Sequence, residues 1–224
     1  MRNSKQGIKN YMRRAKRAIR NAQKRMHVSV KNKKIGAMLN VSTLPLVTCG
    51  NCSKCSEYCY AIRVCNYSPD ALRAWADNTV LYKTDPDGYF RMIQERIAEA
   101  EKGGNPFRFF RWHVSGEIQD DRYLTGMYET ARMFPEWHFY TYTKMFDLVN
   151  PRYDEKPGNL VIMYSKLNVD KIDNPHGAPE FVTCLKKDDP KQYAGMHHCD
   201  GDCHKCCETG HGCPYGEPTW NDEH

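Results

Sequence analysis

Eleven cysteines are the residues of this sequence most able to do chemistry, and they fall into two separate groups. The first group lies between Cys49 and Cys65, the second lies between Cys184 and Cys213, and the 118 residues between the groups contain no cysteine. No apolar segment typical of a secretory signal follows the charged N-terminus, so we expect a reducing compartment in which disulfides are rare. Clustered thiols in such a protein predict metal ligation.

The first group has the spacing C-x2-C-x2-C-x3-C, which is typical of the cysteines that bind iron–sulfur clusters in bacterial ferredoxins. We predict that Cys49, Cys52, Cys55 and Cys59 bind a [4Fe-4S] cluster. Zinc is the alternative metal, although zinc sites usually combine two separated C-x2-C pairs because a tetrahedron is closed from two sides. A set of reduced thiols without metal is the third interpretation. Tyr60 stands where the ferredoxin pattern has proline.

The second group contains histidine as well as cysteine. We predict a four-ligand metal site formed by Cys184, Cys199, Cys203 and Cys206. Cys207 and Cys213 are alternative ligands. Four histidines lie in the same segment: His197, His198, His204 and His211. Because imidazole is a common zinc ligand, zinc is more favourable here than in the first group.

Helices and strands must position these thiols, and the sequence predicts an alternation of the two. Helices are predicted after Ser68-Pro69 and Asp85-Pro86, where a capping side chain precedes a proline at the first helical position. Aromatic and β-branched residues predict strands at 107–114, 137–143, 160–164 and 181–184. The alternation favours an α/β fold, either a partial βα barrel or an open, mostly parallel sheet.

The turn formed by Ser115, Gly116 and Glu117 follows the first of these strands. Ligands of parallel sheets bind at the carboxyl ends of the strands, so we predict that this turn binds a cofactor and that Glu117 holds an amino group. A purely structural turn at the start of a helix is the simpler alternative. His113 is expected to be a packed core residue, and we assign no catalytic residue.

Residues 5–26 predict a basic amphipathic helix, since apolar residues recur there at steps of three and four. Residues 1–34 contain thirteen Lys or Arg and no Asp or Glu, so the other 190 residues carry a net charge of −7 within a chain of +6. Such a helix predicts contact with nucleic-acid phosphates or with an acidic partner. Packing of its apolar stripe on the body is compatible with either.

We therefore divide the chain into a basic helix (1–27), an α/β body that carries the first cysteine group (28–184), and a Cys/His-rich tail (185–224). The tail has little apolar content, so we expect a metal or the body to order it. A mean hydropathy of −0.77 and the lack of an apolar run of about 18 residues predict that no segment crosses a membrane.

Five segments together resemble the phage gene product 88 family. They are KNKKIGAMLNVSTLPLVTC (31–49), the motif from Cys55 through Cys59 to Ala61, NTVLYKTDPDGYF (78–90), RWHVSGEI (111–118) and YTYTK (140–144). The resemblance covers residues 28–207 and leaves the basic helix outside. It implies a protein encoded by a phage or prophage and supplies no reaction. Because no secretory signal or membrane span is predicted, we expect this protein in the host cell cytoplasm.

The sequence also resembles, more weakly, the radical S-adenosylmethionine enzymes, in which an early cluster loop is followed by a glycine- and glutamate-containing turn after a strand. That resemblance allows S-adenosylmethionine as a cofactor at Ser115, Gly116 and Glu117. The chain departs from those enzymes, which use C-x3-C-x2-C, whereas Ile62 stands where their third cysteine would follow Cys59. Four cysteine ligands would leave no iron open for the cofactor.

Three functions follow from these observations. The first is an iron–sulfur protein with redox or radical chemistry, which would need an electron donor. The second is a zinc-stabilised nucleic-acid-binding protein. The third is a phage protein that binds a host partner through the basic helix.

Overall fold

The structure is a computed structural model that describes residues 2–30, 38–50, 55–105, 107–168 and 170–223. The helices are α1 (Lys5–Arg20), α2 (Cys55–Tyr58), α3 (Tyr60–Tyr67), α4 (Pro69–Thr84), α5 (Pro86–Lys102), α6 (Asp121–Met133), α7 (Phe146–Val149) and α8 (Cys203–Thr209). The strands are β1 (Val28–Ser29), β2 (Leu39–Val41), β3 (Phe109–Trp112), β4 (His138–Thr143), β5 (Leu160–Leu167), β6 (Glu180–Cys184), β7 (His197–His198) and β8 (Thr219–Asp222). Short 3₁₀ helices span Asn150–Glu155, Pro190–Tyr193 and Cys213–Tyr215.

The strands of the described residues form one sheet in the order β1-β2-β3-β4-β5-β6-β8-β7. Only β1 and β2 pair in antiparallel fashion, and all other neighbours are parallel. The two ends of this order, β1 and β7, are not paired with each other, so the sheet is open. The predicted α/β fold with a mostly parallel sheet is confirmed.

Side-chain caps fix where the major helices begin. The Ser68 hydroxyl accepts from the amide of the third residue of α4, and Asp85 and Asp120 cap α5 and α6 in the same way. Proline occupies the first position of both α4 and α5. These caps satisfy amide groups that a helix leaves without a partner, so the helix starts are set by local sequence.

The two faces of the sheet have different covers. Helices α4, α5 and α6 pack on the face that carries Trp112, Phe139 and Ile162. The opposite face carries Tyr140 and Met163 and is covered by cysteines of the C-terminal segment. Because side chains alternate along each strand, consecutive residues of β3 face opposite sides of the sheet, one toward the helices and the next toward the C-terminal segment. The same holds for β4.

Helix α1 packs on α3 and α4 through its apolar stripe. Tyr11 and Ala15 are fully buried there, and the Tyr11 hydroxyl donates to the carbonyl of Pro45 at 2.6 Å. The opposite side of the helix exposes six basic residues: Lys5, Lys9, Arg13, Lys16, Arg17 and Arg20. The apolar and the basic faces of α1 are therefore separated.

Strand β8 joins the C-terminal segment (185–224) to the sheet of the α/β body. It pairs with β6 from Phe181 opposite Thr219 to Cys184 opposite Asp222, and β7 pairs on its other side. The segment after residue 184 thus continues the sheet. No helix in the described part of the chain is long and apolar enough to cross a membrane.

Candidate metal centres

The proximal cysteine group lies in the loop after β2 and in the short helices that follow. Cys49 is in the loop, Cys55 begins α2, and Cys59 immediately precedes α3. Cys52, the fourth predicted ligand, lies outside the described residues. Burial, followed by the neighbouring thiols of Cys55 and Cys49, raises the pKa of Cys59 to about 12. The three described candidate ligands are therefore neighbours. Cys65 also neighbours Cys59 but is fully buried in the small core under α1.

A hydrogen-bonded turn holds the start of this loop. The Thr48 amide and hydroxyl both donate to the carbonyl of Leu44, at 3.2 and 2.9 Å. The Thr43 amide donates to the carbonyl of Ser115 at 2.9 Å, and the Ser115 hydroxyl donates back to the Thr43 carbonyl at 3.0 Å. The ends of β2 and β3 together fix the position of Cys49.

Gly116 continues the turn with a φ of 93°, a left-handed conformation that glycine adopts at little cost. A Cβ atom at this position would lie 1.9 Å from Oγ1 of Thr43. The absence of a side chain therefore allows the β3 turn to approach the loop before the proximal cysteines.

Glu117 is buried, with 6% of its surface exposed. Its Oε1 accepts from the Ile118 amide and the Thr143 hydroxyl, both at 2.8 Å, and its Oε2 accepts from the Lys144 amide at 2.8 Å. Burial raises the pKa of Glu117 to about 7 although these donors lower it. Cofactor binding by Ser115, Gly116 and Glu117 stays a prediction, and it would require these hydrogen bonds to be displaced.

His113 lies in the core, as predicted, just before this turn. It is 4% exposed, adopts a left-handed φ of 54°, and has its Nδ1 3.2 Å from the hydroxyl oxygen of Thr141. Burial, and then the charge of Arg111, lowers the pKa of His113 to about 3. The imidazole is therefore neutral at physiological pH.

The distal cysteine group forms where the C-terminal segment covers the sheet. Cys199 follows β7, Cys203 and Cys206 lie on α8, and Cys213 begins the last 3₁₀ helix. Burial, followed by the thiols of Cys213, Cys199 and Cys203, raises the pKa of Cys206 to about 12. Cys207 also neighbours Cys203, Cys206 and Cys213 and, like Cys213, it is buried in the core. Three of the four predicted distal ligands are thus brought together, with Cys213 beside them.

Cys184, the fourth predicted distal ligand, is not brought to this group. It packs with Val182 and Tyr193 in a separate cluster, whereas Phe181 on the same strand packs with the cysteine-covered face. Its thiol donates to the carbonyl of Leu185 at 3.7 Å. Strand alternation therefore directs Cys184 to the other side of β6.

One of the four histidines of the tail adjoins the distal thiols. Nε2 of His197 lies 3.6 Å from Sγ of Cys206. A Cβ on Gly212 would approach the same two atoms to 3.1 and 3.2 Å, so this glycine leaves room for their contact. The other three histidines pair with carboxylates: His198 with Asp222, His204 with Glu208 and His211 with Glu217.

A basic residue that the sequence did not single out lies between the two cysteine groups. Nη1 of Arg111, on β3, is 3.5 Å from Sγ of Cys203. Tyr60, which immediately follows Cys59, has Arg111, Cys59 and Cys203 as its electrostatic neighbours and donates its hydroxyl to the carbonyl of Val114. The Arg111–Tyr60 pair therefore lies between the proximal and the distal thiols.

Arg111 has no carboxylate partner among the residues that the structure describes. Its Nε is inaccessible to solvent and makes no hydrogen bond to a described residue. The guanidinium lies 4.8 Å from the ring centre of Tyr142 and 5.9 Å from that of Tyr140. A desolvated contact of this kind contributes about 2 kcal/mol or more, and removing an ion from water costs several kcal/mol. The two rings therefore offset part of the cost of burying this cation.

No group of three or more His, Cys, Asp or Glu side chains within the described ranges is already arranged to hold a metal ion. The described cysteines are all thiols. Zinc would draw four sulfur atoms to about 2.3 Å from one ion. A cluster would hold the same atoms further apart, because each thiolate binds a different iron.

An open cavity of about 500 Å³ lies beside the proximal group, at the carboxyl ends of the parallel strands. Cys49, Gln119, Asp120 and Met145 are among its lining residues. This is the edge at which parallel sheets bind ligands, and Cys49 is the described proximal thiol that a small molecule in the cavity would meet.

The comparisons with known proteins identify a family. No curated protein and no solved structure matches the chain. The weaker resemblance to radical S-adenosylmethionine enzymes has no support from these comparisons. The model of the gene product 88 family matches residues 8–215, and so it includes most of α1, which the sequence motifs had left outside. The chain therefore belongs to the phage gene product 88 family.

Proposed function

We propose that this phage protein binds a [4Fe-4S] cluster through Cys49, Cys52, Cys55 and Cys59, and a second thiolate-bound metal through Cys199, Cys203, Cys206 and Cys213. The second metal is another cluster or zinc. The protein uses the proximal cluster in redox or radical chemistry. The scaffold is a partial βα barrel whose second face is covered by the metal-binding tail.

The observation that carries this proposal is that thiols from distant parts of the chain lie on either side of the neighbouring residues Tyr60 and Arg111. Cys59 and Cys203 both neighbour Tyr60, and Cys203 contacts Arg111. Burial disfavours the ionised form of a thiol, and it is the main reason that the pKa of both Cys59 and Cys206 is raised to about 12. A bound metal deprotonates thiols outright and would place negative charge beside Arg111.

Iron, sulfide and zinc analysis with a visible spectrum, on protein purified without oxygen, tests the proposal. We expect about four irons with matching sulfide for one cluster, and about eight if the distal centre is also a cluster. The double variant Cys55→Ser/Cys59→Ser should lose the proximal metal, and Cys203→Ser/Cys206→Ser should lose only the distal metal.

Cys184→Ser is the matched control, because Cys184 belongs to the same sequence group but lies on the other side of β6. Its metal content should equal that of the wild type. A wild-type protein with neither iron nor zinc would contradict the proposal. Loss of metal in the Cys184→Ser variant would contradict the proposed distal ligand set.

Redox chemistry would require an external electron donor, and the host cytoplasm would supply the reducing conditions that keep these cysteines as thiols. S-adenosylmethionine is a candidate ligand of the cavity beside Cys49. Equilibrium dialysis of the iron-loaded protein against S-adenosylmethionine tests this separately. Binding would also require an iron without a fourth cysteine, so the Cys52→Ser variant should bind at least as well as the wild type.

The exposed basic face of α1 favours a second function, zinc-stabilised binding of nucleic acid. Among the described residues, no carboxylate oxygen lies within 4.0 Å of a charged nitrogen atom of these six exposed Lys and Arg side chains. A cationic helix face that is fixed to a folded body can contact successive phosphates. An acidic host protein would meet the same surface.

Salt-dependent binding separates these partners. If α1 binds nucleic acid, the Arg13→Gln/Arg17→Gln variant should weaken binding to DNA or RNA of any sequence and lower the slope of affinity against salt by about two. Retained nucleic-acid affinity in this variant would refute the role of α1. A colourless protein with stoichiometric zinc would make this second function the leading one.

A further inference from the structure

Arg111 is a buried cation without a carboxylate partner among the described residues. Its guanidinium contacts Cys203 at 3.5 Å and two tyrosine rings, its Nε has no partner among the described residues, and no described carboxylate neutralises it. A cation in such surroundings is unfavourable unless negative charge lies close by.

We propose that Arg111 is the counter-cation of the distal metal centre, so that metal binding and the burial of this arginine stabilise each other. Four thiolates around one divalent metal carry a net charge of −2, and one positive charge beside Cys203 offsets part of it. This inference rests on the proposed function because it requires metal at the distal thiols. It adds a positioning residue that binds no metal itself.

The proposal predicts opposite effects of one substitution in the two states of the protein. Arg111→Met keeps much of the side-chain volume and removes the charge. The metal-free variant should unfold at a higher temperature than the metal-free wild type, because an unpaired cation has left the interior. The variant should bind metal at least tenfold more weakly than the wild type, because the anionic centre has lost its counter-ion.

The experiment uses the full chain, made metal-free under reducing conditions and titrated with Co²⁺ and then Zn²⁺. Thiolate-to-cobalt absorbance reports occupancy, and the part that is lost in Cys203→Ser/Cys206→Ser is the distal signal. Thermal unfolding is measured with and without metal. Arg111→Lys keeps the charge and should retain most of the affinity, and Arg111→Gln is a second uncharged variant should Arg111→Met not fold.

Arg108→Met is the matched control, because Arg108 lies three residues earlier and is exposed beside Glu136. It should change neither metal affinity nor metal-free stability. If Arg111→Met and Arg111→Gln lower both stabilities and leave metal affinity unchanged, Arg111 is a packing residue and the inference is wrong. If the wild type shows no distal cobalt signal, the proposed function fails at this site, and the inference fails with it.

Discussion

Removal of the Glu117 carboxylate should change how the stability of this protein depends on pH. The folded protein holds this carboxyl with a pKa of about 7, against 4.5 for an ordinary glutamate, and burial is the main cause. The folded state therefore retains a proton that the unfolded state releases. Since stability falls with pH wherever the folded state binds more protons, Glu117 stabilises the protein least above pH 7.

The size of the effect follows from the two pKa values. A difference of about 2.5 pH units corresponds to about 3.4 kcal/mol in total. Part of this is already lost at the acid end, so between about pH 5 and about pH 8 we expect the free energy of unfolding to decrease by about 2.5 kcal/mol. Above pH 8 the contribution of Glu117 should be constant.

Urea unfolding of the metal-free, reduced protein at several pH values measures this slope. Glu117→Gln should remove the decrease of about 2.5 kcal/mol that is due to this carboxyl. Above pH 8 the variant should also be less stable than the wild type by about 1–3 kcal/mol, because its amide group would face the Lys144 amide or another donor, and at pH 5 this deficit should be larger by about 2.5 kcal/mol. The slope, rather than the absolute stability, therefore carries the test.

Glu129→Gln is the control, since Glu129 is an exposed carboxyl of α6. It should leave the pH dependence unchanged. If the wild type and Glu117→Gln lose stability in parallel between pH 5 and pH 8, the buried carboxylate is already ionised at pH 5 and its three donors outweigh its burial.

Three further changes have outcomes that the structure fixes. Gly116→Ala should destabilise the protein by more than the 1–2 kcal/mol of left-handed strain alone, because its Cβ would also lie 1.9 Å from a threonine hydroxyl oxygen, and urea unfolding measures this. Ser68→Ala should lower the free energy of unfolding by about 1 kcal/mol through loss of the α4 cap, in the same assay. Cys213→Ser should lower distal metal affinity in the cobalt titration, since this thiol neighbours Cys199, Cys203 and Cys206.

The glycine and the capping substitutions each have a matched comparison. Gly104 also has a left-handed φ, of 71°, but no atom lies within 4 Å of the position that a Cβ would take. Gly104→Ala should therefore lower the free energy of unfolding by the left-handed strain alone. Ser68→Asp retains a capping oxygen and should be close to the wild type. Equal costs for the two glycine variants, or a Ser68→Asp variant as unstable as Ser68→Ala, would contradict the reasoning.

Local sequence accounts for much of the fold. Ser68 and Asp85 cap helices where the sequence predicts them, and the predicted strands at 107–114 and 137–143 contain β3 and β4. These elements follow from short-range capping and from side-chain periodicity. Their alternation was sufficient to predict a mostly parallel sheet.

The spacing of the cysteines along the sequence is not sufficient to predict which of them lie together in the proposed distal site. Cys184 and Phe181 lie on opposite faces of β6, and the face of a strand is set by its register with its neighbours. The polar residues Thr219–Asp222 gave no strand signal, yet they pair between β6 and β7. Arg111 has the sequence context of an ordinary strand residue, and its contacts with β4 and α8 depend on how distant segments pack.

The position of β8 has a consequence for biosynthesis. Strand β7 pairs only with β8 among the described strands, and β8 is the last of them to leave the ribosome. Cys199 donates its amide to Trp220 of that strand, at 2.8 Å. The distal thiols therefore reach their final arrangement only after residues 219–222 have been synthesised, whereas the proximal loop can form much earlier. If both proposed centres bind metal, their loading would then be ordered in time, and a ribosome that stops before residue 219 would release a chain without the strand that positions the distal thiols.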